Sequence, residues 1–264
     1  MGRSRAMNYE TIRLSFRDGV GILTLNRPDV MNALSTQMRA EILHAVQSAE
    51  RQARVLVMTG KGKCFCSGQD LGDRSNMNTL NLERTLRDEY EPMLKAIFDC
   101  EIPTIAAVNG PAAGAGANLA LACDVVIATE SAVFLQAFTR IGLIPDAGGT
   151  YWLPRQIGTA KAMGAALFAE PVTAQQASDW GMIWEAAPDE RFADVWAERA
   201  QHLANGPSTA YAAVKQAIRG SFDNTRDEQL ALEAKLQGQA GQTRDFKEGV
   251  LAFLEKRAAR FEGR

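Results

Sequence analysis

Between Ile105 and Ala128 the chain reads as strand, glycine-rich turn, small-residue helix and strand. That succession narrows what it can fold into more than any other feature. Ile105-Ala106-Ala107-Val108 is a wholly apolar run of strand length. Asn109-Gly110-Pro111-Ala112-Ala113-Gly114-Ala115-Gly116-Ala117-Asn118 then turns the chain and opens a helix of small side chains, and Asp124-Val125-Val126-Ile127-Ala128 is the next apolar run. Alternation of this kind belongs to the α/β class. A strand, a glycine-rich turn and a helix also raise nucleotide binding. However, Gly114-x-Gly116 has Leu119 where a dinucleotide fingerprint needs its third glycine, and no Gly-Lys-Ser/Thr occurs. What remains is a helix N-terminus whose free N–H groups can hold an oxyanion.

The flanking chain extends the pattern. Ile12, Leu14 and Phe16 alternate with polar residues, Asp18-Gly19 turns, and Val20–Leu25 returns, which makes a β-hairpin. Ser35 caps a helix with Met38, Ile42, Val46 and Ala49 on one face, and Val55–Met58 is a short buried strand. Gly60 to Leu71 is a glycine-studded loop that reads either as an ordinary turn or as backbone presenting N–H groups to a ligand. Leu82, Leu86, Tyr90, Met93 and Ile97 lie at helical spacing and read as core. Ala132–Leu135 is a further strand. From Gly158 helices dominate: 159–168, 173–180, 191–203, 208–218, 227–236 and 243–261. Gly206-Pro207 is the clearest punctuation. It divides a core at 1–205 that carries the active site from a helical C-terminal module at 206–264, whose last helix has an apolar stripe (Phe246, Val250, Phe253, Leu254) for its own core or a neighbouring subunit.

Composition removes several classes of function. Lys and Arg total 29 against 31 Asp and Glu, a net charge of −2, so bulk electrostatics attract neither nucleic acid nor an acidic membrane. The longest apolar stretch, 102–127, is broken by Pro103, Asn109, Asn118 and Asp124 and is no membrane span. Met1 to Ala6 is charged and leads into no apolar segment, so it is not a signal peptide. Cys64, Cys66, Cys100 and Cys123 form no C-x-x-C, and only His44 and His202 exist, which leaves no material for a zinc site or a Ser-His-Asp triad. The cysteines read as small buried hydrophobes in a reducing, cytoplasmic setting. Chemistry falls to carboxylates, backbone dipoles or a cofactor.

One carboxylate stands out. In Ile141-Gly142-Leu143-Ile144-Pro145-Asp146-Ala147-Gly148-Gly149-Thr150, Asp146 is set among apolar and glycyl neighbours after a proline that forces a turn. It reads as a helix N-cap, as a carboxylate paired by a cation, or as a carboxyl held with a raised pKa, ready to move protons near neutral pH. In the last case the helix dipole would lower its pKa and burial would raise it.

From about Leu14 onward the chain resembles the crotonase superfamily, the enoyl-CoA hydratase/isomerase family. The resemblance rests on Leu25-Asn26-Arg27-Pro28 with Asn32-Ala33-Leu34, Phe65-Cys66-Ser67-Gly68-Gln69-Asp70-Leu71, and Ala107-Val108-Asn109-Gly110. It continues through Ala113-Gly114-Ala115-Gly116, Cys123-Asp124, Gly142-Leu143-Ile144-Pro145, Phe246–Val250 and Phe253–Arg257. Gly68–Leu71, Ala112–Ala117 and Trp180–Trp184 look most like the branch that acts on ring 1,2-epoxyphenylacetyl-CoA in phenylacetate degradation. The resemblance implies a spiral of repeated β-β-α units with a helical C-terminal module, assembled as a homotrimer or hexamer. It implies an acyl-CoA substrate, with coenzyme A as part of that substrate, no separate cofactor and no metal. The thioester carbonyl would sit between the N–H groups of Gln69 and Ala115, in agreement with both loops being read as N–H donors. Ser67, Gly68, Asp70, Leu71, Gly114 and Phe138 would line the substrate site. Arg27 matches a position near the CoA phosphates, Arg257 could reach across from a neighbour, and both could equally be solvated charges. Residues 73–81 would contribute to the pocket.

The departures from the family pattern shape the expected chemistry. Its hydratases activate water between two glutamates, and those positions here are Asn118 and Phe138, neither of which is a base. Asp146 matches a carboxylate that some isomerases of the family use. The expectation is therefore a CoA-thioester isomerase that converts ring 1,2-epoxyphenylacetyl-CoA to the oxepin thioester, shifts 3-enoyl to 2-enoyl-CoA, or does both. Alternatives are a hydratase with a relocated base, an aryl-CoA dehalogenase-like hydrolase acting through Asp146, and a CoA-binding member without catalysis. Phe138 weakens the dehalogenase reading, because that enzyme carries a tryptophan there.

Overall fold

A computed structural model describes residues 9–72 and 81–264. The expectations for Met1 to Ala6 and for residues 73–80 fall outside the described residues. The main sheet starts with the expected hairpin, β1 (Ile12–Arg17) and β2 (Val20–Leu25), with Leu14 opposite Leu23. Its turn puts Asp18 (φ 50°) and Gly19 (φ 79°) in the left-handed region, as a tight hairpin requires. β3 (Val55–Gly60), β4 (Thr104–Val108), β6 (Val125–Thr129) and β9 (Glu185–Ala187) join parallel, in the order β1-β2-β3-β4-β6-β9.

Because strand residues alternate faces, each central strand feeds two cores. Leu56, Met58, Ala106 and Val108 point to one side and pack with Met38, Ile42 and Val46 of α1 (Thr36–Gln52). Val55, Val57, Ile105, Ala107 and Ile127 point to the other, under Phe192, Ala200 and Ala204 of α7 (Phe192–Ala204). Burial on both faces explains why these strands read as continuous apolar runs. Ser35 Oγ accepts from the Met38 N–H, so the expected cap of α1 is present.

The second layer builds the site. β5 (Ala112–Ala113), β7 (Val133–Leu135) and β8 (Val172–Thr173) form a small sheet, and single parallel bridges, Leu34 to Gln69 and Cys66 to Ala112, extend it. The chain thus repeats one motif: a strand of the main sheet, a short second-layer strand or bridge, then a helix. β4–β5–α4 (Ala115–Leu121) and β6–β7–α5 (Gly149–Phe168) are two such turns. This is the expected spiral of β-β-α units. The helix expected around Tyr90 consists of α2 (Leu82–Thr85), a π-helical turn (Leu86–Tyr90) and α3 (Glu91–Asp99).

Some boundaries differ from expectation. α5 starts ten residues before the expected Thr159; Gly158 (φ 73°, ψ 162°) interrupts it and hides its first half from a periodicity reading. β5, β8 and β9 have too few residues for a recognisable alternation. α6 (Ala174–Asp179) follows its Thr173 cap, and α8 (Ser208–Gly220) and α9 (Arg226–Ala240) follow Gly206-Pro207. α10 (Arg244–Leu254) ends before the expected Phe261, near a left-handed Lys256 (φ 53°). Its stripe does not pack on its own core: Phe246, Phe253 and Leu254 are 54%, 82% and 69% exposed. The C-terminal helices are tied to the sheet by polar contacts. Lys215 and Arg219 of α8 both reach Asp124, at 2.7 and 2.5 Å, and Arg54 donates to Ser208 and to the Gly206 and Phe261 carbonyls. No helix among the described residues is long and apolar enough to cross a membrane, and no cluster of metal-ligating side chains occurs among them.

Candidate active site

Three segments converge. The first is the Phe65–Leu71 loop. Asn32 is fully buried and donates to the carbonyls of Lys61, Cys64 and Phe65, so it fixes the loop's root. In the Leu34–Gln69 bridge, the Leu34 N–H donates to the Gly68 carbonyl (2.8 Å) and the Asp70 N–H to the Leu34 carbonyl (3.3 Å). The flanking peptides therefore bond to Leu34, and Gln69's own N–H points the other way. The second segment is Ala113-Gly114-Ala115. Gly114 (φ 53°, ψ −128°) turns the chain so that Ala115 is the first residue of α4, where an N–H has no partner within the helix. The two loops touch. A Cβ on Gly68 would lie 2.8 Å from the Ala113 carbonyl oxygen and 3.3 Å from the Ala115 nitrogen, and one on Gly116 2.4 Å from the Cys66 carbonyl oxygen. Glycine at both places lets two uncommitted N–H groups, those of Gln69 and Ala115, share one small space; neither has an acceptor among the described residues.

The third segment carries Asp146. It does not cap a helix with its side chain: the N-cap of α5 is Gly148, without a side-chain bond. The cap reading is corrected, because left-handed Ala147 (φ 48°) and Gly148 (φ 82°) carry the chain away before the helix begins. Asp146 Oδ1 is buried and has no hydrogen-bond partner among the described residues. Burial pushes the carboxyl up to about 6, against a smaller lowering by its own backbone N–H. Asp146 opens onto a cleft of about 770 Å³ walled by Leu86, Tyr90, Phe98, Ile144, Tyr151 and Trp152. Three of these rings pack together: Phe98–Trp152 at 5.0 Å and Tyr151–Trp152 at 4.8 Å between centroids.

Tyr90 joins the cleft to the first loop. Its hydroxyl donates to Gln69 Oε1 at 2.6 Å, and buried Arg39 donates to the same oxygen at 3.2 Å. Arg39 is 1% exposed and is satisfied by Glu89, Thr36 and the Leu34 carbonyl. Burial and the Asp146 charge push the Tyr90 hydroxyl far above its ordinary value, while Arg39 opposes the shift. Sequence reading missed these parts. Tyr90 fits the apolar stripe of its helix, and no local signal marks an arginine as buried.

The remaining candidates are distributed unevenly. Phe138 is buried (7% exposed) in the 3-10 turn Ala137–Ile141, beside the position of a Cβ on Gly114. Arg27 donates to Asp70 (2.7 Å) and to the Ala33 carbonyl (2.6 Å), so it is a half-buried brace of the Gln69 loop and not simply a solvated charge. Ser67 is held by its N–H to the Met31 carbonyl, and Leu71 is exposed. Arg257 pairs with Glu248 and Glu255 at the end of α10 and is not among the cleft residues of its own chain.

The arrangement offers the raised Asp146 carboxyl, in a cleft that Glu83, Glu91 and Asp99 also line, and two N–H groups that can hold an oxyanion. The sequence profile of the enoyl-CoA hydratase/isomerase family matches residues 15–264. The chain is 60% identical to a probable enoyl-CoA hydratase of Rhodobacter capsulatus, over 98% of this chain and 100% of that one. It is 45% identical to the 1,2-epoxyphenylacetyl-CoA isomerase of Escherichia coli, over 93% and 96%. A crystal structure of an enoyl-CoA hydratase from a Polaromonas species superposes with a TM-score of 0.90 at 32% identity, covering 95% of this chain and 99% of that one. The chain belongs to the enoyl-CoA hydratase/isomerase family of the crotonase superfamily and has its fold.

Proposed function

We propose that the protein is a CoA-thioester isomerase in which Asp146 is the acid–base group and the Gln69 and Ala115 N–H groups hold the thioester carbonyl oxygen. Removing a proton beside a thioester moves negative charge onto that oxygen, and one donor aimed at it contributes about 3 kcal/mol to the transition state. Asp146 takes the proton from the carbon next to the thioester and returns it to a carbon further along the acyl group, so the reaction is a net isomerisation. The observation that carries this reading is the Asp146 carboxyl itself. It is half-buried, its Oδ1 has no hydrogen-bond partner among the described residues, and it is raised to about 6, within reach of neutral pH. Asn118 and Phe138, at the positions of the hydratase glutamates, are not bases.

The favoured acyl group is ring 1,2-epoxyphenylacetyl, opened to the oxepin thioester. The aromatic walls of the cleft support it, as does the activity named for the E. coli relative. A 3-enoyl to 2-enoyl shift uses the same groups. Hydration is a second reading, favoured by the name of the R. capsulatus relative; it requires that Asp146 activate water in place of the glutamates. The expected assembly is a homotrimer or hexamer, supported by the exposed apolar stripe of α10.

Purified Asp146→Asn, assayed for both isomerisations and for crotonyl-CoA hydration, tests the assignment. Isomerisation is expected to fall by about 10²–10⁴-fold, the typical contribution of a positioned acid or base. Near-wild-type isomerisation by folded Asp146→Asn would remove the assigned role, and hydration faster than isomerisation in the wild type would replace the reading with a hydratase.

A further inference from the structure

Asn118 stands where the family's hydratases carry a base, yet its side chain is committed elsewhere. It is fully buried on α4. Its Nδ2 donates to the Asp146 backbone carbonyl at 2.7 Å, and its Oδ1 accepts from Gln136 Nε2 at 2.9 Å. The orientation of this amide is determined by its partners. The Asp146 carbonyl can only accept, and Gln136 presents an NH₂ group, so the NH₂ end of Asn118 must face Asp146. Gln136 is itself 4% exposed and follows β7. The chain Gln136–Asn118–Asp146 therefore runs through the interior from the second-layer sheet to the proposed base.

The contact is tight. A Cβ on Gly149 would lie 2.4 Å from Asn118 Nδ2, so α5 can approach this closely only because its first residue is glycine. The same carbonyl also accepts the Gly149 N–H at 2.9 Å. Immediately after Asp146 come two left-handed residues, and the first is an alanine, a conformation that L side chains rarely adopt. Such a residue persists only where its surroundings over-determine it, and such strain concentrates at functional sites. Asn118 is the buried side chain that grips the peptide at that point.

We propose that Asn118, oriented by Gln136, is the positioning residue for Asp146: it clamps the Asp146 carbonyl and thereby keeps the carboxyl inside the apolar cleft instead of letting the turn relax toward solvent. The proposal rests on the reading of Asp146 as the acid–base group and deepens it. The position that holds a base in a hydratase has become a brace for a base on the next repeat of the spiral.

The test is Asn118→Leu, which keeps the shape and loses the donor, with Gln136→Met, which removes only the group that orients Asn118. Because Asn118→Leu leaves Gln136 unpaired and the Ala147 strain unopposed, Asn118→Leu/Ala147→Gly is made in parallel to relieve that strain and secure a folded protein. The decisive readout is the titration of the Asp146 carboxyl itself, followed by ¹³C NMR of aspartate-labelled protein and assigned by the signal missing from Asp146→Asn. Tyr90 of the π-helical turn, Glu91, Lys95 and Asp99 of α3, and Arg87 and Glu83 line the same cleft and are unchanged in every variant. In Asn118→Leu and in the double variant the titration is expected to move from about 6 toward the ordinary carboxylate range, here 3.8. The acid limb of kcat/KM moves with it, kcat falls 10–100-fold and KM stays within threefold. Gln136→Met shifts the titration part of the way. An Asp146 titration and kcat unchanged in either folded Asn118 variant overturns the proposal, even if thermal stability drops, because that outcome is a purely structural role. The carboxyl titration needs no turnover, so it stands or falls independently of whether Asp146→Asn abolishes isomerisation.

Discussion

At the scale of single residues, the site depends on where one carboxyl is placed. Asp146 is raised in the folded protein to about 6 from 3.8 because its surroundings disfavour the charge. The folded state therefore binds this proton more tightly than the unfolded chain. Its contribution opposes folding progressively as pH rises from about 4 to about 6, and opposes it fully above that. A shift of this size corresponds to roughly 3 kcal/mol at most, less what solvent screening removes. Asp146→Asn is accordingly expected to be more stable than the wild type at pH 8, by about 1–3 kcal/mol, with the gain shrinking at pH 4.5. Denaturant titrations at the two pH values measure it, and an equal effect at both would show that the carboxyl is not raised. If Asp146 is the acid–base group proposed above, kcat/KM of the wild type is expected to show an acid limb near pH 6, since the base must be ionised to accept a proton. Part of this is legible in the sequence: histidines are few, and the family resemblance, which marks 118 and 138 as the glutamate positions of its hydratases, leaves Asp146 as the candidate carboxylate. That its side chain leaves the helix start uncapped was not, because capping and burial differ only in the φ values of Ala147 and Gly148.

Elements position the site through close backbone contact. The Gln69 and Ala115 N–H groups come from separate turns of the spiral, and the seam between them is closed by Gly68 and Gly116. The glycine-rich character of both loops was legible. Which glycine meets which backbone was not, since the contacts span some fifty residues of sequence. Gly116→Ala places a methyl 2.4 Å from the Cys66 carbonyl oxygen and 2.7 Å from its sulfur, both buried and unable to retreat. The loop must shift, at a cost of about 1–3 kcal/mol. Thermal denaturation should show that loss, and kcat/KM should fall more steeply than stability does, because spreading the two loops separates the donors. A folded Gly116→Ala enzyme with wild-type kcat/KM would show that the seam does not set the distance between the two N–H groups.

For the molecule as a whole, the sheet is closed on both faces by its own helices, whereas the outer surface of α10 is not. Phe246, Val250, Leu251, Phe253 and Leu254 leave an apolar stripe exposed on one helix, the kind of surface that protein–protein contacts cover. The amphipathic period of this helix was visible in the sequence, but period alone does not say whether the partner lies within the chain or outside it. Light scattering on the wild type is expected to give three or six times the chain mass. Phe253→Glu with Leu254→Glu is expected to yield smaller species that retain the circular dichroism of the fold. A wild type that runs at the mass of one chain at micromolar concentration would remove the trimer or hexamer from the proposed function.

The sequence by itself determined what is local: hairpin chemistry at Asp18-Gly19, the Ser35 cap, the continuous apolar strands, the glycine-rich loops, and an inventory of reactive groups that left carboxylates and backbone N–H groups for the chemistry. The tertiary structure decided what depends on residues far apart in the chain. The cleft beside Asp146 is closed by Leu86, Tyr90 and Phe98 from some fifty residues away, the Asp146 carbonyl is gripped by Asn118 from another helix, and the Gln69 side chain is held by Tyr90 and Arg39. A local pattern specifies which conformations and groups are available. Only the packing of distant segments sets which polar atoms lose water, and that loss raises the Asp146 carboxyl from 3.8 to about 6.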